Sequence, residues 1–202
     1  MHPSRQRNDE VLKSKVSLQS NRYSGYLQRS YNWERDTTKY AFSIGVRGNY
    51  WDLNNEFIFS PRGSFSIQPN WKHDYLFRLS GGVYYQPPFY REMRDFDGKI
   101  NRDIKSQVSY QAVLGADHNF EAWGRPFKFI AELYYKHMEN VIPYEIDNVR
   151  IRYYAKNNAK AYATGADFKI NGEFVKGVES WFSMSVMKTA EDLKDDFYYD
   201  YY

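Results

Sequence analysis

The segment YAFSIGVRGNYWD, residues 40–52, sets one charge, Arg47, inside an otherwise apolar and small-residue run. Taken every second residue, it gives Tyr40, Phe42, Ile44, Val46, Gly48 and Tyr50 on one side. Ala41, Ser43, Gly45, Arg47 and Asn49 fall on the other. A period of two is the signature of a β-strand with one apolar and one wet face. In a soluble sandwich the apolar face would be the core. In an outer-membrane barrel it would meet lipid, and Arg47 and Asn49 would point into the lumen.

The same rhythm recurs along the chain. Ser24 to Trp33 leads into the polar turn ERDTTK and then into the segment above. FIFSPRGSFSIQ sets Phe57, Phe59, Phe65 and Ile67 against Ser60, Arg62, Ser64 and Ser66. YLFRLSGGVYYQ sets Tyr75, Phe77, Leu79 and Val83 against Arg78 and Ser80. Further strands are expected at QVSYQAVLGADHNF, FKFIAELYYKHM, AYATGADFKINGEF and SWFSMSVMKTA, with VRIRYYA strand-like and VLKSKVSLQS (Val11 to Ser20) a weaker candidate. Short turns near 34–39, 71–74, 121–126 and 175–179 alternate with intervening connections that are long at 87–105 and 139–158, although not at 53–56. Outer-membrane barrels alternate short and long connections in this way.

Composition narrows the classes. The chain has 202 residues, 42% hydrophobic and 19% aromatic, including 20 Tyr, with a mean hydropathy of −0.79. No stretch approaches the roughly 18 consecutive apolar residues of a membrane helix. A net charge of +3 gives no field suited to nucleic acid. Cysteine is absent, so neither a disulfide framework nor a thiolate zinc site is available. The inward sets would carry Arg47, Arg62, Arg78, Lys128 and Glu132, charges that a sealed soluble core could not hold without dedicated partners. Tyr40, Tyr50, Tyr75, Tyr85 and Tyr135 are read as strand-end residues, as in an interfacial girdle. An all-β, antiparallel, up-and-down transmembrane barrel is therefore expected. A small complete barrel with an adhesive or structural role, and a soluble carbohydrate-binding module, are the alternatives.

Five short motifs then occur in order: Tyr26 and Gln28; Gly45 and Arg47; Ser60, Pro61 and Arg62; Arg78, Ser80, Gly82 and Pro87; and Ala161, Ala163, Gly165 and Asp167. Over residues 20 to 190 this series resembles the barrel of TonB-dependent outer-membrane receptors, in an aromatic style similar to receptors of Bacteroidetes-type bacteria. The resemblance implies a plug domain inside a barrel of 22 strands and a TonB box that engages an energy-transducing partner. It also implies uptake of a scarce siderophore, cobalamin, glycan or peptide across the Gram-negative outer membrane. Residues 1–202 would then be part of such a barrel, about eight to ten strands as an open curved sheet, without plug, TonB box or C-terminal strands. Arg47, Asn49, Arg62, Arg78 and Glu132 would face the lumen and plug, the arginines either paired with carboxylates outside this chain and anchoring the plug, or simply solvated in the lumen. Arg29 stands where an acid is usual and falls on the nominal lipid face, which places it at the interface or shifts its register.

No catalytic constellation is expected. His2, His73, His118 and His137 are scattered, with no serine–histidine pair oriented by a third group. The acidic tail holding Glu191, Asp192, Asp195, Asp196 and Asp200 lacks the glycine-punctuated spacing of a calcium loop. No metal or cofactor is expected. The candidate ligand contacts lie in the long loops, at Phe89, Tyr90, Arg91 and Arg94 and at Tyr144, Arg150, Arg152 and Tyr153, with packing of one loop on another as the alternative reading of the same residues. Aromatics beside arginines there suit an anionic or sugar-bearing solute.

Overall fold

The computed structural model describes residues 19–194. The strands are β1 (Arg22–Arg35), β2 (Thr38–Trp51), β3 (Glu56–Gln68), β4 (Asp74–Gln86), β5 (Gln107–Ala122), β6 (Arg125–Val141), β7 (Tyr144–Asp147), β8 (Arg150–Tyr153), β9 (Ala159–Val175) and β10 (Val178–Leu193). Eight form one antiparallel sheet in the order β1-β2-β3-β4-β5-β6-β9-β10, and β7 pairs with β8 as a separate hairpin. No helix occurs among the described residues. Most of VLKSKVSLQS and most of the acidic tail lie outside them.

The sheet is open. Tyr26 of β1 pairs with Arg47, and Phe182 of β10 pairs with Ile170. The two edge strands do not meet, which removes a small closed barrel built from the described residues.

Register joins the like faces of all eight strands. One lateral row runs Tyr31, Phe42, Phe65, Leu79, Leu114, Leu133, Ala166, Val186. Within it Leu79, Leu114, Leu133 and Val186 are 52–61% exposed. An apolar row of this length on a single-layered sheet has no core to enter and needs lipid or another surface to cover it. The described residues supply no second layer of the kind a soluble sandwich would pack against it.

Turn chemistry sorts the two ends. At one end the connections are short: Asp36–Thr37, 69–73, Trp123–Gly124 and Lys176–Gly177. Asp36, Thr37, Trp123 and Gly124 all have positive φ, as two-residue hairpin loops following the right-handed strand twist require. At the other end lie 52–55 and the long connections 87–106 and 142–158. The buried cluster of Trp51, Met93, Ile104 and Ile142 sits there, joining the end of β2 to the long connections.

Three sequence expectations change. Tyr135 is not at a strand end: it pairs with Ala112 well inside β6, beside Gly81. Arg29 keeps the expected register, opposite Ile44 on the apolar face, but it lies in mid-strand. The connection after β6 contains a complete hairpin, because Tyr144–Asp147 supplies a partner for β8.

The β3–β4 ladder is the shortest in the main sheet, running only from Arg62–Gly82 to Ile67–Phe77. Pro61, next in β3, has no N–H to offer a neighbouring strand.

Candidate functional site

The wet face carries a charge network built by register. Arg78 pairs with Gly115, which in turn pairs with Glu132. With no side chain at position 115, the guanidinium lies across that backbone: a Cβ there would meet Arg78 Nη2 at 3.2 Å. Arg78 Nη2 donates to Asp117 Oδ1 at 2.6 Å and to Glu132 Oε1 at 3.1 Å. Lys128 Nζ reaches the other oxygen of Asp117 at 2.8 Å. Asp117 is only 6% exposed, so this carboxylate is desolvated and held by two cations.

Arg78 is thus neutralised within the sheet rather than by a partner outside the chain. Arg47 and Arg62 differ. They are diagonal neighbours on the same face, since Arg47 pairs with Ser60 and Gly45 with Arg62. Arg47 Nε donates to Asn49 Oδ1 at 3.2 Å. Among the described residues neither arginine has a carboxylate within ion-pair distance.

At the long-loop end the connections are tied into one body. Glu56 accepts the backbone N–H of Ser106 and its hydroxyl, the latter at 2.5 Å. Asn54 Nδ2 donates to the carbonyl of Ile104 at 2.9 Å. Asn101 donates to the carbonyls of Met93 and Ala155, both at 2.8 Å. Asn157 bridges the carbonyls of Lys105 and Asn140. Arg22 stacks over Trp51 and donates to the carbonyl of Pro88.

This body leaves an open cleft of about 820 Å³ between residues 90–98 and the β7–β8 hairpin. Tyr90, Arg91, Arg94, Arg150, Arg152 and Tyr153 all line it, joined by Phe96 and Ile151. Phe89 and Tyr144 lie beside it: Arg91 sits over the Phe89 and Tyr153 rings, each at 5.8 Å, and Tyr144 contacts Tyr153 at 6.0 Å.

An open antiparallel sheet with an apolar outer row, a charged opposite face and long loops gathered at one end is the geometry of a barrel wall. The TonB dependent receptor-like, beta-barrel family matches residues 6–201. The chain belongs to that family. Among curated proteins and solved structures, none matches it. Receptors of this family are transport proteins, typically of the outer membrane, whose full-length chains carry a plug domain and act with TonB.

Asp117 was not among the residues singled out from the sequence of this receptor barrel. The available signal was its place as the lone acid among the inward positions of QVSYQAVLGADHNF. Among the described residues His73, His118 and His137 all make ring contacts, and His118 stacks on Tyr75 at 4.1 Å and on Phe120 at 5.3 Å; His2 lies outside the described residues.

Proposed function

We propose that this chain forms part of the outer-membrane wall of a receptor that captures a scarce, bulky solute and imports it using energy delivered through TonB. The solute belongs to the siderophore, cobalamin, glycan or peptide classes, and the host is a Gram-negative bacterium of Bacteroidetes type. The apolar row from Tyr31 to Val186 meets lipid, and the opposite face lines the lumen. The long-loop end faces outward. Arg47 and Arg62, without carboxylates of their own, stand toward the plug of the full-length chain, while Arg78 and Glu132 stiffen the wall.

The observation that carries this reading is the half-exposed apolar row that crosses all eight strands. Left facing water, such a row would keep the full cost of hydrating apolar surface, whereas lipid removes it.

The chain has no cysteine, so a cysteine placed in it reports orientation once any cysteine elsewhere in the full-length receptor is replaced by serine. Single-cysteine variants of the full-length receptor at Val149, on the β7–β8 tip, and at Lys176, in a short turn, are treated with a membrane-impermeant maleimide on intact cells. Labelling of the Val149→Cys protein alone, with Lys176→Cys reacting only after permeabilisation, is the expected result. Equal labelling of both in intact cells would overturn the assignment. Solute uptake that survives removal of TonB would overturn the energetic part.

A further inference from the structure

Resting on the receptor reading above, we propose that the cleft between residues 90–98 and the β7–β8 hairpin is a preformed site for a soluble solute bearing several anionic oxygens, carboxylate or phosphate, next to a flat ring. Arg91, Arg94 and Arg150 all line it. Among the described residues none of the three has a carboxylate within ion-pair distance. Asp95, the acid in the lining, already accepts the backbone N–H groups of Asp97 and Lys99, at 3.0 and 2.8 Å. Three guanidiniums gathered in one concavity repel one another and are relieved by an anion between them. Their planar forks match carboxylate and phosphate oxygens in paired hydrogen bonds.

Tyr90, Phe96 and Tyr153 supply ring faces and edges in the same concavity. Arg91 is already stacked against Tyr153, so its donors are aimed rather than free to roam. The apolar packing of these loops is made elsewhere, by the fully buried Met93 and Ile104 against Trp51 and Ile142. Loop–loop packing therefore does not account for the arginines. The segments that follow the two walls are joined by the Asn101–Ala155 hydrogen bond at 2.8 Å, and loops tied together at their base lose less conformational freedom on binding. Val149, at the hairpin tip, is 93% exposed and holds φ at +74°, a conformation costly for a β-branched residue.

The test uses the full-length receptor reconstituted in phosphatidylcholine vesicles and the fluorescent trisulfonated pyrene pyranine, an aromatic trianion. Binding by anisotropy, competed by citrate or pyrophosphate and not by the neutral sugar maltotriose, is expected. Arg91→Gln with Arg150→Gln should weaken it about tenfold or more, while Arg91→Lys with Arg150→Lys, which keeps charge and stem, should weaken it less. Absence of binding, or equal binding by the glutamine variant, would overturn the inference. Adding lipid A to the vesicles distinguishes the source of the anion: unchanged pyranine binding supports a soluble solute, and its loss would assign the cleft to lipid phosphates and overturn the proposal. A negative result here alongside one-sided cysteine labelling leaves the receptor reading standing, since that labelling does not involve this cleft's arginines.

Discussion

Asp117 and Arg78 meet across the β4–β5 seam at 2.6 Å, on a carboxylate that also holds Lys128. Asp117 is buried, whereas the Arg78 and Lys128 side chains are 39% and 43% exposed. Water therefore screens the cations more than the anion, and the loss on neutralising Asp117 falls well short of a sealed ion pair. Asp117→Asn is expected to lower the stability of the full-length chain by about 1–2 kcal/mol. Glu132→Gln removes a single, half-exposed partner and should cost under about 1 kcal/mol. Combined with Asp117→Asn in a double variant, Glu132→Gln leaves Arg78 with neither acid and should cost more than it does alone. Denaturant midpoints in micelles for the two singles and the double decide this. Equal losses, or strict additivity, would mean that the shared guanidinium does not couple the two acids.

Gly82 and Gly63 make opposite predictions from neighbouring strands. A Cβ on Gly82 would sit 2.9 Å from Arg62 Cβ and 3.0 Å from the Pro61 carbonyl oxygen. Neither atom is the loose end of a side chain, so β3 and β4 must separate where their ladder is already ending. Gly82→Ala is expected to destabilise by about 1–3 kcal/mol. At Gly63 the nearest atom, the carbonyl oxygen of Ser43, is at 3.6 Å, an ordinary contact, and its φ is not positive. Gly63→Ala is expected to be neutral, or to stabilise by up to about 1 kcal/mol through the unfolded chain. Two similar unfolding midpoints would show that the seam yields more readily than its backbone contacts imply.

Period-two alternation made the strands legible because the side-chain faces of a strand are fixed by position alone. Arg47, Arg62, Arg78 and Glu132 could be placed together on one face without knowing any pairing. Which of them meet depends on register across strands, and register is a long-range property: Arg78 finds Asp117 only because Gly115 lies opposite and leaves room. For the same reason Arg78 could not be told apart from the unpartnered Arg47 and Arg62. The cleft residues were nominated from local composition, but their convergence depends on a hairpin whose first strand, Tyr144–Asp147, follows Pro143 and spans only four residues, too few for its Tyr-Glu-Ile-Asp alternation to stand out. Tyr135 misled because strand-end tyrosine is a tendency of girdles, while here it stands half-exposed on the apolar face, level with Gly81 and Ala112.

The Glu56 carboxylate fastens the 87–106 connection to the start of β3 through Ser106, which is 1% exposed. Removing the acceptor leaves a buried N–H and hydroxyl without their partner, a local loss of about 2 kcal/mol. Glu56→Ala is therefore expected to open this connection while the strands stay paired. Trypsin should cut at Arg91, Arg94, Arg102 or Lys105 roughly tenfold faster or more, because cleavage follows the population of the opened loop. The barrel strands should remain resistant. Cleavage at the wild-type rate would show that the Trp51–Met93–Ile104–Ile142 cluster holds the loop unaided. Fragmentation throughout the sheet would show that loop and wall unfold as one unit.

Arg29 is the charge least suited to its position. It faces the apolar side opposite Ile44, between Leu27 and Tyr31, with its guanidinium 5.1 Å over the Tyr31 ring. If that face meets lipid, a mid-strand arginine costs about 2–4 kcal/mol at the bilayer midplane and about 0–1 kcal/mol near the interfaces. The stack on Tyr31 returns about 0.5–1 kcal/mol. Arg29→Leu should then stabilise the receptor in vesicles by about 1–2 kcal/mol net. Lys188 offers the internal comparison, because it sits on the same face opposite Thr164 but closer to the long-loop end of its strand. Lys188→Leu should gain less, since its ammonium reaches the interface on its own stem. Loss of stability in Arg29→Leu would reverse the argument: the guanidinium would then have an acidic partner on the free edge of β1, and its position would be one of pairing rather than of strain.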